Sequence, residues 1–92
     1  MNVSGDMMLA EVLKEKRKAA GLSQGDVAKA LGYRSPQFVS NWERSMSVPP
    51  VYALKKIAKI YKLNIDEIKA LYFSVRMAEF KADLEKKFSR GA

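Results

Sequence analysis

Gln37 and Asn41 stand four residues apart, and in a helix that spacing puts both amides on one face. A carboxamide carries a donor and an acceptor side by side, which is what a bidentate pair with the edge of adenine requires, each good pair discriminating by about 1–3 kcal/mol. Ser40 and Arg44 share the same short stretch, so the chemistry on offer there is hydrogen bonding, not bond making. Reactive groups are missing elsewhere too. The 92 residues contain no cysteine and no histidine, which removes disulfides, thiolate nucleophiles, the usual zinc sites and the commonest general base. Asp6, Glu11, Glu15, Asp26, Asp66 and Glu67 read as helix caps and solvated helix faces and form no metal or acid/base constellation. No cofactor, no metal and no enzymatic activity are expected.

To present those amides the chain needs helices, and its start and stop signals mark five, with no segment alternating as a strand would. The first starts after Asp6 as N-cap and runs to Ala20, with Leu9, Val12, Leu13 and Ala20 on one stripe and Gly21 as its left-handed stop. Ser23 caps the second, with Asp26 three residues on, and Val27, Ala28 and Leu31 face inward before Gly32. A third helix opens with Ser35 as N-cap and Pro36 at the first helical position and reaches about Arg44. In it, Phe38 or Val39 and Trp42 face the core, leaving Gln37, Ser40, Asn41 and Arg44 toward solvent. After a loop from Ser45 to Pro49, a fourth helix spans about 50–62 on Leu54, Ile57, Ala58 and Tyr61, with Lys55, Lys56, Lys59 and Lys62 on its other faces. Asn64 with Glu67 caps a long final helix to about Ser89. The fold class is all-α.

The chain carries 17 Lys and Arg against 10 Asp and Glu, a net charge of +7. Residues 1–65 hold 11 basic and 5 acidic side chains and residues 66–92 hold 6 and 5, so the front of the chain carries the basic excess. A polyanionic partner fits this, and so does a merely solubilising charge. The first residues have neither the basic segment nor the apolar stretch of a secretory signal, and no run approaches a membrane span, so a cytoplasmic location without membrane contact is expected.

Two short helices joined by a three-residue turn containing Gly32, the second with a polar face at its start, have the layout that places a recognition helix in the major groove of duplex DNA. At these residues the chain resembles the lambda-repressor-like (Xre/Cro type) helix-turn-helix domains. The resemblance is carried by Arg17-x-x-x-Gly21-Leu22-Ser23-Gln24-x-x-Val27-Ala28-x-x-Leu31-Gly32, by Val39-Ser40-x-Trp42-Glu43-Arg44, by Pro49 or Pro50, by Leu54-x-x-Ile57-Ala58 and by Leu63-x-Ile65-x-x-Ile68. It covers about residues 9–70 and implies a five-helix domain of that family with an extended C-terminal helix.

The resemblance further implies that Gln24 binds a phosphate at the start of the second helix and that Arg17 pairs with Glu43 inside the domain. Base contacts then fall to Ser35, Pro36, Gln37, Ser40 and Asn41, and flanking phosphate contacts to Arg34, Arg44, Ser47 and Lys55. The alternative is that these are ordinary surface side chains. Two departures stand out. The stretch from Leu31 to Glu43 is one residue longer than in many members, so Tyr33 or Arg34 must be absorbed and the register of base contacts can shift by one. Ser45 also replaces the usual glycine after Glu-Arg, a cost if that position needs a positive φ.

In the last helix Ile68, Leu71, Tyr72 and Val75 form one apolar stripe that closes the core. Phe73, Met77, Phe80, Leu84 and Phe88 step along another side, and a small domain cannot bury both. The second stripe is expected to form a dimer interface, which would set two recognition helices about 34 Å apart on a palindrome. It could instead fold back over the core or dock a different protein. The expected organisation is a DNA-binding domain over residues 1–68 and a dimerising helix over 69–92. The expected function is a homodimeric transcription regulator, a repressor or autoregulator binding double-stranded DNA. The alternative is a docking module on the same fold, for example an antitoxin-like partner-binding protein.

Overall fold

The structure, a computed structural model, describes residues 5–90, with side chains from Met8 onward. Among the described residues the chain is all-α, with helices α1 (Gly5–Ala19), α2 (Gln24–Ala30), α3 (Gln37–Glu43), α4 (Val51–Ile60) and α5 (Ile65–Ser89) in that order. α1 packs on α3 and most extensively on α5, while α2 packs on α3 and α4 on α5.

The helix boundaries follow from local chemistry. Gly21 and Gly32 sit at φ +74° and +84°, a conformation that costs a residue with a Cβ about 1–2 kcal/mol, so both stop the helices they follow. At the start of α2 the Ser23 hydroxyl accepts from the Asp26 backbone N–H at 2.9 Å, and the Asp26 carboxylate accepts from the Ser23 N–H at 2.9 Å. The expected capping pair is therefore complete. The Ser23 backbone N–H on the carboxylate, followed by the Ser23 hydroxyl, holds the Asp26 carboxyl below its ordinary pKa. Asn64 caps α5 by accepting from the Asp66 N–H at 2.8 Å, in place of a reciprocal arrangement with Glu67.

Several expected boundaries shift, among them the end of α4, which stops at Ile60 and not at Lys62. α1 is already helical at Gly5, so Asp6 lies within it and is not its N-cap; the Asp6 side chain is outside the described residues. α1 ends at Ala19, so Ala20 has left the helix and is exposed; Arg17, four residues after Leu13, takes the inward place beyond it. α3 starts at Gln37, with Pro36 as N-cap and no side-chain cap, because the first helical bond runs from the Ser40 N–H to the Pro36 carbonyl at 2.9 Å. Ser35 is reduced to a long 3.4 Å contact from the Gln37 N–H.

The core gathers Leu9 and Leu13 from α1, Val27 and Ala28 from α2, Val39 and Trp42 from α3, Leu54 and Ile57 from α4, and Ile68 and Val75 from α5. Leu31 and Tyr61, each just past a helix end, complete it. Each large side chain buried there contributes about 1.5–3 kcal/mol. Of the two candidates in α3, Val39 is buried and Phe38 is 55% exposed. Leu71 and Tyr72 are half-buried against the core, and α5 continues unbroken past residues 68 and 69 with every residue after Val75 exposed.

Two residues other than glycine have left-handed backbones, Ser45 at φ +59° and Lys62 at φ +56°. The chain therefore leaves α3 by the route a glycine would favour, with serine in its place. Lys62 does the same after α4, where the Leu63 N–H reaches back to the Ala58 carbonyl at 2.8 Å.

Candidate nucleic-acid interface

The position of α3 is fixed from behind by a buried ionic node. Arg17, 8% exposed, donates from Nε to Glu43 Oε2 at 2.7 Å, from Nη2 to Glu43 Oε1 at 3.0 Å and from Nη1 to the Leu22 carbonyl at 2.8 Å. One guanidinium thus joins the end of α1, the approach to α2 and the last residue of α3. Its fork matches the carboxylate geometry, which a lysine could not do. Gln24 closes the node, donating from Nε2 to Glu43 Oε1 at 3.0 Å. The bond to Glu43 holds the Arg17 pKa above its ordinary value against the opposing effect of burial. Burial, then the nearby Glu43 charge, pushes the Tyr61 phenol up as well.

The start of α3 is fixed by aromatic packing. The turn between α2 and α3 is longer than the three residues expected, occupying residues 31–36, and Tyr33 lies within it. Its ring lies 5.0 Å from Phe38 and edge-on to Trp42 at 5.9 Å. The backbone N–H of Tyr33 donates to the Ala28 carbonyl at 2.9 Å. Its hydroxyl makes a short hydrogen bond with that of Tyr52 in α4. Burial and that bond raise the Tyr33 phenol to about 12. Phe38, exposed to water, is held on the Tyr33 ring and so belongs to the wall of the turn.

With both ends pinned, the outer face of α3 presents a connected polar row. Gln37 donates from Nε2 to Asn41 Oδ1 at 2.9 Å, and Arg44 donates from Nη2 to the same oxygen at 2.9 Å. Arg44 also reaches the Ser40 carbonyl from Nε at 3.4 Å. The backbone beyond turns back at once, the Met46 N–H donating to the Asn41 carbonyl at 2.9 Å. Among the described residues no cluster of three or more histidines, cysteines, aspartates or glutamates is close enough to hold a metal.

Comparison with protein families completes this picture: residues 13–68 match the model described as helix-turn-helix. The chain belongs to the lambda-repressor-like, Xre-type helix-turn-helix family. Comparison with curated proteins and with solved structures gives no match. The match spans the second half of α1 to the start of α5 and so includes α2 and α3, the two short helices that have the helix-turn-helix layout. The family is one of DNA-binding transcription regulators. No helix among the described residues is long and apolar enough to cross a membrane.

The residues singled out from the sequence fall into three groups on this helix-turn-helix. Gln37 is exposed on α3, Ser40 and Asn41 are half-buried on it, and Ser35 and Pro36 are exposed just before it. Arg34, Arg44 and Ser47 are exposed on the segments flanking α3. Lys55 is exposed on α4, where it borders an apolar groove of about 350 Å³ with Val51, Leu54, Ile65 and Lys69. Gln24 is half-buried, its amide turned onto Glu43. Sequence reasoning missed the Gln24 bond to Glu43 and the bond from Arg44 to Asn41. The second had a signal, since Asn41 and Arg44 are three residues apart on a helix. The role of Tyr33 had none beyond the extra residue in the turn.

Proposed function

We propose that this protein binds duplex DNA sequence-specifically, laying α3 in the major groove, and that it acts as a homodimeric repressor or autoregulator on a palindromic operator. The observation that carries this reading is the polar row Gln37, Asn41 and Arg44 on the outer side of α3, a helix whose inner side is locked by the Arg17–Glu43 pair. A groove about 12 Å wide admits one helix, and a pre-ordered row of donors and acceptors meets base edges with little further loss of side-chain freedom.

In this reading Ser35, Pro36, Gln37, Ser40 and Asn41 face the bases. Arg34, Arg44, Ser47 and Lys55 meet the flanking phosphates, which position the domain without reading sequence. Gln24 keeps its bond to Glu43 and offers its second amide N–H to a phosphate. Residues 1–68 form the DNA-binding domain and 69–92 the dimerising extension, with Leu71, Tyr72 and Val75 also closing the core.

Support for the dimer comes from the outer side of α5, where Phe73, Met77, Phe80, Leu84 and Phe88 are 37–83% exposed on the side opposite Ile68 and Val75. Apolar side chains aligned over about four turns of a free helix are costly to leave in water. A second copy of the same stripe would cover them. A cytoplasmic regulator of this kind fits the charge of +7. Binding to a defined site and to random duplex across a salt series tests the proposal. A regulator gives a steep salt slope for both and a large affinity gap between them.

A further inference from the structure

Building on the reading of α3 as the base-contacting helix, we infer that Asn41 selects guanine or thymine and not adenine, because Arg44 holds its amide with the acceptor already used. Asn41 Oδ1 accepts from Gln37 Nε2 and from Arg44 Nη2, both at 2.9 Å. A carbonyl oxygen has two lone pairs, and both are occupied.

The orientation of both amides follows from one group. A guanidinium has only donors, so the atom of Asn41 facing Arg44 is its oxygen. The atom of Gln37 facing that oxygen must in turn be its nitrogen. Arg44 therefore fixes Asn41 directly and Gln37 through Asn41. What is left for a ligand differs between the two. Asn41 offers only the two N–H groups of Nδ2, whereas Gln37 keeps its Oε1 acceptor and one N–H donor.

The major groove sorts bases by these patterns. Guanine shows two neighbouring acceptors, N7 and O6, and thymine shows one, O4; adenine shows N7 beside a donating amine, and cytosine shows a donating amine. A donor-only Asn41 satisfies guanine best and thymine next. Against adenine it leaves the amine without an acceptor, and against cytosine it sets donor on donor. Gln37, with one donor and one acceptor remaining, still makes the full bidentate pair with adenine. The row thus reads adenine at the Gln37 position and an acceptor base at the Asn41 position.

The test is selection from a random duplex oligonucleotide pool with the full chain, wild type, Asn41→Ala and Arg44→Ala, each first verified as folded by its thermal melt. Asn41→Ala identifies the base position that Asn41 reads, as the one whose preference disappears. The wild type enriches guanine or thymine there about 5- to 100-fold over adenine and cytosine. Arg44→Ala, which frees one lone pair of Oδ1, raises adenine at that position. Adenine or cytosine preferred by the wild type, no preference lost in Asn41→Ala, or an unchanged base pattern in Arg44→Ala overturns the inference while leaving DNA reading by α3 intact. A wild type that enriches no sequence overturns both.

Discussion

Arg17 and Glu43, 26 residues apart in the chain, meet through two parallel hydrogen bonds of 2.7 and 3.0 Å, and the glutamate side chain is only 3% exposed. Removing the arginine leaves a buried carboxylate with Gln24 as its remaining side-chain partner. Arg17→Ala is expected to cost about 3–5 kcal/mol, a large share of the roughly 5–15 kcal/mol that holds a domain together. Arg17→Lys restores charge without the fork and recovers only part of this. Urea denaturation measures both; a loss below about 1 kcal/mol for the alanine variant would contradict the role given to the pair.

Lys62 holds a left-handed backbone at φ +56° with its side chain exposed. Glycine adopts that conformation freely, which recovers about 1–2 kcal/mol, while its greater freedom in the unfolded chain takes back about 0.5–1 kcal/mol. Lys62→Gly is expected to stabilise by about 0.5–1 kcal/mol, a rise in Tm of about 2–8 °C. A lowered or unchanged melting temperature would show that the turn after α4 carries no such strain.

Burial, followed by the Tyr52 hydroxyl, raises the Tyr33 phenol from 10.0 to about 12. A pKa raised in the folded state contributes stability that is present in full below the unfolded value and is lost as pH climbs through the folded one. Stability should therefore fall between pH 10 and about 12. Tyr33→Phe should make that alkaline decline shallower, although it also loses the bond to Tyr52. Helical circular dichroism followed against phenolate absorbance checks this, and an identical decline in the two proteins would remove Tyr33 as its source.

Phe80 lies in the middle of the exposed stripe of α5 and is 56% exposed. Phe80→Glu puts a charge where a second copy would pack and is expected to give monomers with an unchanged monomer fold, since Phe80 contributes nothing to the core. Sedimentation equilibrium compares it with the wild type. Identical masses for the two would place any interface elsewhere.

The parts of this fold legible from sequence are those decided within a few residues. Gly21 and Gly32 stop their helices, and Ser23 with Asp26 opens α2, because each effect acts over a single turn. The replacement of glycine by Ser45 was readable as a strained exit, and its φ of +59° shows the chain taking that exit. Choices that depend on a distant partner were not legible. Phe38 and Val39 are equally good core candidates by spacing, and it is the packing of distant elements that buries Val39 and leaves Phe38 on the Tyr33 ring. Gln24 at a helix start is equally suited to a phosphate or a carboxylate, and Glu43, brought close by Arg17, takes its amide. The base-facing row was legible as residue types four apart, but its hydrogen-bond polarity was set by Arg44, whose side chain could equally have gone to solvent.

The central claim is that α3 reads base edges in the major groove, and the most direct measurement of it is the affinity of the full chain for its best selected duplex relative to random-sequence duplex at the same salt. One enriched motif is expected, bound about a thousandfold or more tighter than random duplex. Gln37→Ala is expected to narrow that gap, while Gln24→Ala weakens both duplexes by a similar factor. Equal affinity of the wild type for every duplex, with no motif enriched, would contradict the claim.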